Sequence, residues 1–396
     1  MSNTILTPTA VTREAMLQLH NNLAFVKNID RQYDNSYQTT GQKDGASIKI
    51  RLPNRYTVRT GKTLVAQDTT ESSVTLTRST QKGVDMNFST AELTHSLQDF
   101  SKRIVSPAAN KLASQLDYDA LDMTFDVYNL VGTAGTTPAT AQVWLDAMAK
   151  LDNFATPRDQ NRAAVMNPKA MARTVDGLKG LFESSDEISN QYRNGVMKRA
   201  LGMKWAMDQN VRALALGTQF ASPIIANTAV TGATTLDLSG TGTWVAKRGD
   251  VFTVASVNAV NPETGEDTGE LQQFVVTTAI SGTTTITVAV SPSIILSGAT
   301  KTVTRAPTAS DVVTHVGSAS TTYPHNLVFH EDAFAFATID LELPDGVHFK
   351  GREVKDGISI RLVRQYDINN DNIPARLDVL YGYVTKRPEM ACRVIG

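Results

Sequence analysis

The stretch STAELTHSLQDFSKRIVSPAANKLASQLDYDALDMTFDVYNLV, residues 89–131, decides how the chain is organised. Ser89 and Glu92 stand at capping-box spacing, where hydroxyl and carboxylate can satisfy each other's end amides. Leu93, Leu97, Phe100, Ile104, Ala108, Leu112 and Leu116 follow at steps of three and four, which makes one apolar stripe on a helix. Uninterrupted, the stretch would reach roughly 60 Å at about 1.5 Å per residue, more than a compact domain needs. Pro107 lies within the stripe, and its missing N–H predicts a kink there. Asp117, Asp119 and Asp122 are expected on a solvated helix face.

Upstream, residues 1–45 read as an arm. A helix begins near Thr12, with Met16, Leu19 and Leu23 at helical spacing, and the chain turns polar beyond Asp30. Residues 46–88 read as a long β-hairpin. Ile48, Ile50 and Leu52 alternate with Lys49 and Arg51, Tyr56 and Val58 extend the pattern, and Val74, Leu76, Val84, Met86 and Phe88 form the return limb. Arg51, Arg55, Arg59 and Lys62 make a basic run on one limb. It would suit ion pairs to an acidic surface on a neighbouring subunit, or a solvated face that discourages edge aggregation. A two-stranded ribbon is marginal in water, so its apolar row needs a partner surface.

Downstream, residues 136–218 alternate helix and strand: a helix over Thr140–Phe154, a buried strand over Ala163–Met166, and a second helix opened by Pro168. Composition then shifts. Residues 221–322 hold 22 threonines and only 11 charged residues, with strand patterns at Thr234–Leu238, Val251–Val260, Gln272–Ala279, Thr284–Val290 and Lys301–Arg305. That is the signature of a small all-β barrel or sandwich inserted into a host fold. Strands are expected again at His325–His330, Phe334–Leu343, Ile358–Ile368, Ala375–Thr385 and Met390–Ile395.

Composition narrows function by exclusion. With 38 basic and 39 acidic residues the net charge is −1, so the chain lacks the basic excess of a dedicated nucleic-acid binder. Apolar runs fall short of the roughly 20 residues a membrane span requires. The start, Met1-Ser2-Asn3-Thr4, has no signal-peptide pattern, so cytosolic synthesis is expected. One cysteine, Cys392, allows no internal disulfide and reads as a buried apolar side chain. His330-Glu331 lacks the second histidine of a zinc protease helix, and His325 and His330 fall on opposite faces of a strand. Asp367, Asn369, Asp371 and Asp378 have EF-hand spacing, but Asn372 replaces the turn glycine and Pro374 interrupts the loop, so an Asx-rich hairpin turn is the better reading. Gly240-Thr241-Gly242 lacks the third glycine of a dinucleotide loop, and Arg248-Gly249-Asp250 reads as a turn into a strand. No catalytic residue, cofactor site or metal site is expected, and the chain is read as not an enzyme.

The order of arm, hairpin, overlong helix, α+β domain and late sheet resembles that of tailed-phage major capsid proteins. Local sequence is similar to the coat-protein family of short-tailed enterobacterial phages. The stretches that carry this are Ile48-Lys49-Ile50-Arg51-Leu52-Pro53, Ile104–Asp117, Met166-Asn167-Pro168, Lys247-Arg248-Gly249-Asp250 and Tyr381–Glu389. The resemblance implies an α+β fold, the tailed-phage and herpesvirus (Johnson) fold with an inserted all-β barrel. Residues 1–45 would be the N-arm, 46–88 the extended loop, 89–135 the spine helix of the peripheral domain and 136–220 the first part of the axial domain. Residues 221–322 would be the inserted domain, and 323–396 peripheral and axial strands. It also implies a shell of hexamers and pentamers in the virion, assembled in the host bacterial cytoplasm with scaffolding and portal proteins. That shell encloses double-stranded DNA without sequence-specific binding and does not engage a membrane. The alternative reading is a surface adhesin or glycan-binding structural protein, suggested by the Thr-rich segment.

Overall fold

The computed structural model describes residues 8–31, 47–64, 66–68, 71–89, 106–178 and 199–396. It divides into two compact units: Met1–Ile50, Ser73–Ala120 and Phe334–Val384 in the first, and Arg51–Ser72, Leu121–Ala333 and Thr385–Gly396 in the second.

The first unit begins with α1 (Pro8–Asn22), β1 (Ser47–Arg51), β2 (Ser73–Thr77), β3 (Thr80–Ser89) and α2 (Ser106–Ala120). β1 and β2 make a two-stranded ribbon, and its Ile50 and Leu76 are buried against Ala335, Ala337 and Val384 of the same unit. The ribbon thus finds its partner surface in its own subunit. The expected return limb is shorter than the alternation implied. Val84 and Met86 belong to β3, which leaves the ribbon and joins a different sheet, because period-2 alternation identifies a strand without naming its partner. α2 buries Ala108, Ala109, Leu112, Ala113, Leu116, Asp117 and Ala120 along one stripe. Pro107 stands in the first turn of this helix, where an absent N–H costs nothing. The expected helix N-terminal to it, with Leu93, Leu97, Phe100 and Ile104, lies outside the described residues, as do residues 1–7 and 32–45 of the arm.

In the second unit come β4 (Leu130–Val131), α3 (Ala141–Asn153), β5 (Arg162–Met166), α4 (Pro168–Leu178), β6 (Arg199–Ala200), β7 (Met203–Met207) and β8 (Ala213–Ala215). α3 lays Trp144, Ala147, Met148 and Leu151 onto Ala164, Met166, Met203 and Trp205 of the sheet. The Trp144 and Trp205 rings meet edge to face at 5.2 Å.

The Thr-rich segment forms β9 (Ala221–Ile225), β10 (Ala233–Ala246), β11 (Val251–Val260), β12 (Asp267–Val276), β13 (Ile280–Ile294) and β14 (Val313–His315), in sheet order β14-β11-β12-β13-β10-β9. Hydrogen bonds between Ile225 and residues 310–311 and an Ile224–Val312 bridge join the two ends, so the sheet closes into a barrel. Phe220, Trp244, Phe252 and Phe274 fill it. The expected strand at Lys301–Arg305 is reduced to a single bridge, Ala259–Val303.

The chain after the barrel serves both units. β15 (Thr322–His330) enters the second unit's sheet, and β16 (Phe334–Ile339), β17 (Phe349–Lys355), β18 (Ile358–Arg364) and β19 (Asn372–Thr385) build the first unit's. β20 (Ala391–Ile395) then returns to the second unit. The resulting sheets run β4-β20-β15-β5-β7-β6, with β8 on β15, and β16-β19-β18-β17, with β3 along β19 from Thr80–Tyr381 to Ser89–Asn372. Asn369 N–H and Asn370 Nδ2 both donate to Asp367 in the β18–β19 turn, while Asp378 sits on β19, buried and paired with Arg361 at 2.7 Å. The Asx-rich turn therefore replaces any calcium loop.

Candidate assembly surface

Among the described residues of the second unit, the loop over residues 52–72 carries the two most exposed large apolar side chains. Pro53 cannot donate to a strand ladder, so β1 stops before it. The loop is instead closed by side-chain and neck bonds. Leu52 N–H donates to the Ser72 carbonyl at 2.9 Å. The Gln67 amide accepts from the Thr57 N–H and hydroxyl at 2.9 and 3.0 Å, and donates back to the Thr57 carbonyl at 2.5 Å. Beyond the clamp Val58 is 98% exposed and Leu64 82% exposed. Burying either would contribute about 1.5–3 kcal/mol, a gain this subunit leaves unused.

The four basic residues of the run do not act alike. Arg51 meets Glu71 at 3.2 Å with both side chains exposed, a pair worth about 0–1 kcal/mol. Arg55 reaches Glu389 at 3.0 Å in a more sheltered setting. Asn54, Thr57, Gln67, Thr300 and Arg387 line the same cleft. Arg59 bonds the Gly61 carbonyl two residues on. Of the four, Arg59 and Lys62 have no carboxylate partner among the described residues, and both are exposed.

The carboxylates of the long helix correct the expectation of a solvated face. Asp117 is 1% exposed, and its two oxygens accept the Ala24 and Val26 N–H groups at 2.6 and 2.8 Å. They pin the turn after α1, whose Leu23, Phe25, Val26 and Ile29 are buried. Asp30 and Ala335 then bridge in parallel, and Phe25 packs edge-on to Phe334 at 5.6 Å. This much of the arm is bound to its own subunit. Asp119 takes Lys82 at 2.5 Å and the Tyr381 hydroxyl, which burial and this carboxylate push above the usual phenol range. In the second unit, Asp122 and Asp126 hold Arg248 at 2.5 and 2.7 Å. The sequence carried a signal for Asp117: it falls four residues after Ala113, on the buried stripe itself. Residues 119 and 122 carry none, since their partners lie far along the chain.

Other polar residues serve packing. His330 Nε2 lies 3.1 Å from Asp159, and its Nδ1 accepts the Asp332 N–H at 3.2 Å. Arg248-Gly249-Asp250 is a turn, with Gly249 at φ +96° and Asp250 accepting the Lys247 N–H at 2.9 Å. Cys392 is buried in β20, where burial pushes its thiol up to about 12. Among the described residues no three His, Cys, Asp or Glu side chains are grouped to hold a metal, and no helix is long and apolar enough to cross a membrane.

Similar solved structures include one from Mycobacterium phage Che8, at 14% identity and TM-score 0.47, covering 94% of this chain and 90% of that one. Another is the asymmetric unit of the bacteriophage PhiM1 mature capsid, at 11% identity and TM-score 0.42, covering 89% and 82%. A third is a virus-like particle from Pyrococcus furiosus, at 9% identity and TM-score 0.40, covering 97% of each chain. No curated protein sequence gives a significant match. The family model described as P22 coat protein, gene protein 5, matches residues 7–396, nearly the whole chain, barrel segment included. The chain therefore belongs to the P22 coat protein family, has an α+β capsid fold, and is a major capsid protein whose copies form the virion shell.

Proposed function

We propose that the chain assembles as hexamers and pentamers into an icosahedral shell, in the cytoplasm of a bacterial host and with the help of scaffolding and portal proteins. The shell encloses double-stranded DNA without reading its sequence. The observation that carries this reading is the loop over residues 52–72, which holds Val58 and Leu64 in solvent beyond its own clamp. Such a loop gains its burial from a neighbouring copy, and Arg59 and Lys62 are the cations it brings to that contact. Arg51 and Arg55 support the loop from within the subunit. Pro107 opens the spine helix, and as the shell expands the chain hinges where it enters that helix rather than within it. A net charge of −1 fits a container for DNA better than a DNA-binding protein. The Thr-rich β segment that suggested an adhesin lies within the residues matched to the coat protein family.

Co-expression with the scaffolding protein tests this. Uniform closed shells should form, where Arg59→Glu/Lys62→Glu subunits give few or none. Two unrelated DNA duplexes should bind the soluble subunit equally weakly, with affinity falling as salt rises. Shells unaffected by the charge reversal, or a strong preference for one duplex, would overturn the proposal.

A further inference from the structure

Closure of the barrel depends on a short element. β14 is three residues long, paired with β11 through Phe252–His315, Thr253–Thr314 and Val254–Val313. On its other side the barrel is closed by the Ile224–Val312 bridge, the Ile225 N–H to Asp311 carbonyl bond at 2.9 Å and the Ser310 N–H to Ile225 carbonyl bond at 2.8 Å. By contrast, β10 and β13 share ten paired positions. The β14–β9 join, a single bridge, is therefore the weakest link of the barrel, below even the two paired positions of β12 and β13.

His315 is the last residue of that seam strand, and its ring turns toward aromatic side chains. The Trp244 ring of β10 meets it edge to face at 4.3 Å, and the Phe252 ring of β11 lies 5.9 Å away. Phe220 also packs edge to face with Trp244 at 5.5 Å. His315 Nε2 is shut off from solvent without a hydrogen-bond partner, and so is Trp244 Nε1. The charged residues beside these strands are engaged elsewhere. Asp311 pairs with Arg305 at 2.9 Å, and Arg248 pairs with Asp122 and Asp126. Lys247 donates to the Ala215 carbonyl, and Asp250 accepts the Lys247 and Gly217 amides.

We infer that His315 makes the barrel seam acid-sensitive: the barrel is closed while this imidazole is neutral, and its protonation opens the sheet between β14 and β9. An imidazolium in this position would gain attraction from the Trp244 ring but lose its hydration with no carboxylate to replace it. Burial alone pushes the His315 pKa down to about 4 from its ordinary 6.5. A histidine with a lower pKa in the closed form contributes its full stabilisation above about pH 6.5 and loses it as pH falls toward 4. The opening is local, because the β10–β13 and β11–β12 ladders lie outside the seam.

Hydrogen exchange followed by mass spectrometry on the full chain tests this. After correction for intrinsic rates, protection of residues 221–225 and 312–316 should fall about tenfold or more between pH 7.5 and 5. Protection of β5 and β15 should hold. In His315→Gln and His315→Phe the seam should lose its pH dependence. Equal protection at both pH values, or the same acid loss in both variants, would overturn the inference. Should neither variant fold, an NMR titration of the wild-type imidazoles decides: His315 titrating well below 6 supports it, and titration near 6.5 refutes it.

Discussion

Asp117 is the residue on which the arm depends. Its carboxylate is the acceptor for two backbone amides in a buried turn, and an unsatisfied buried donor costs about 1–3 kcal/mol. Asp117→Ala is expected to lower the unfolding free energy of the unassembled subunit by about 2–4 kcal/mol, and Asp117→Asn by less, because one acceptor oxygen remains. Urea denaturation measures both. Gly249 is a second such position. It sits at φ +96°, and an added Cβ would lie 3.0 Å from Leu214 and 3.1 Å from Phe125. Gly249→Ala should cost about 1–3 kcal/mol through backbone strain and crowding, read as a fall in thermal midpoint. At this scale the sequence was only partly legible. Asp117 sits on the apolar stripe and could be found there. The partners of Asp119, Asp122 and Arg248 lie up to 262 residues away along the chain, and no local pattern encodes such a pairing.

Elements were legible where a pattern ran long enough to show its period. The stripe of α2, the helix at Ala141–Asn153, the buried strand at Arg162–Met166 and the barrel strand Val251–Val260 all lie where periodicity places them. β14 escaped because three residues hold too few alternations, β9 because Ser222 and Pro223 break its apolar run, and β17 because its Lys, Gly, Arg and Glu mask the apolar face. The ribbon was recognised, yet β3 was assigned to it, since alternation reports a face and leaves the neighbour open. In the loop over residues 52–72, Val58 was read as extending the strand alternation, yet it stands exposed beyond the strand. Val58→Ser/Leu64→Ser should leave subunit stability within about 0.5 kcal/mol of wild type, as is usual for exposed sites. The same change should raise the concentration at which light scattering detects assembly by about tenfold or more, from lost burial of roughly 1.5–3 kcal/mol per side chain. Loss of stability with unchanged assembly would place the loop's contacts within the subunit.

For the whole molecule, composition excluded a membrane-spanning helix and a strongly basic binder but pointed to no function. Function became readable from the order of elements and from motifs such as Ile104–Asp117 and Tyr381–Glu389, and the coat-protein match across residues 7–396 establishes it. Two units assembled from interleaved segments explain why the order of elements does not reveal which strands share a sheet. A shell needs no pocket. Modest contacts, each worth a few kcal/mol, become strong when symmetry repeats them and each copy is held by several neighbours. The most direct test is electron microscopy of the purified chain, alone and with its scaffolding protein, over a range of concentration and salt. Closed shells with fivefold vertices and sixfold faces are the predicted result, and a subunit that stays monomeric under every assembly condition would contradict the account.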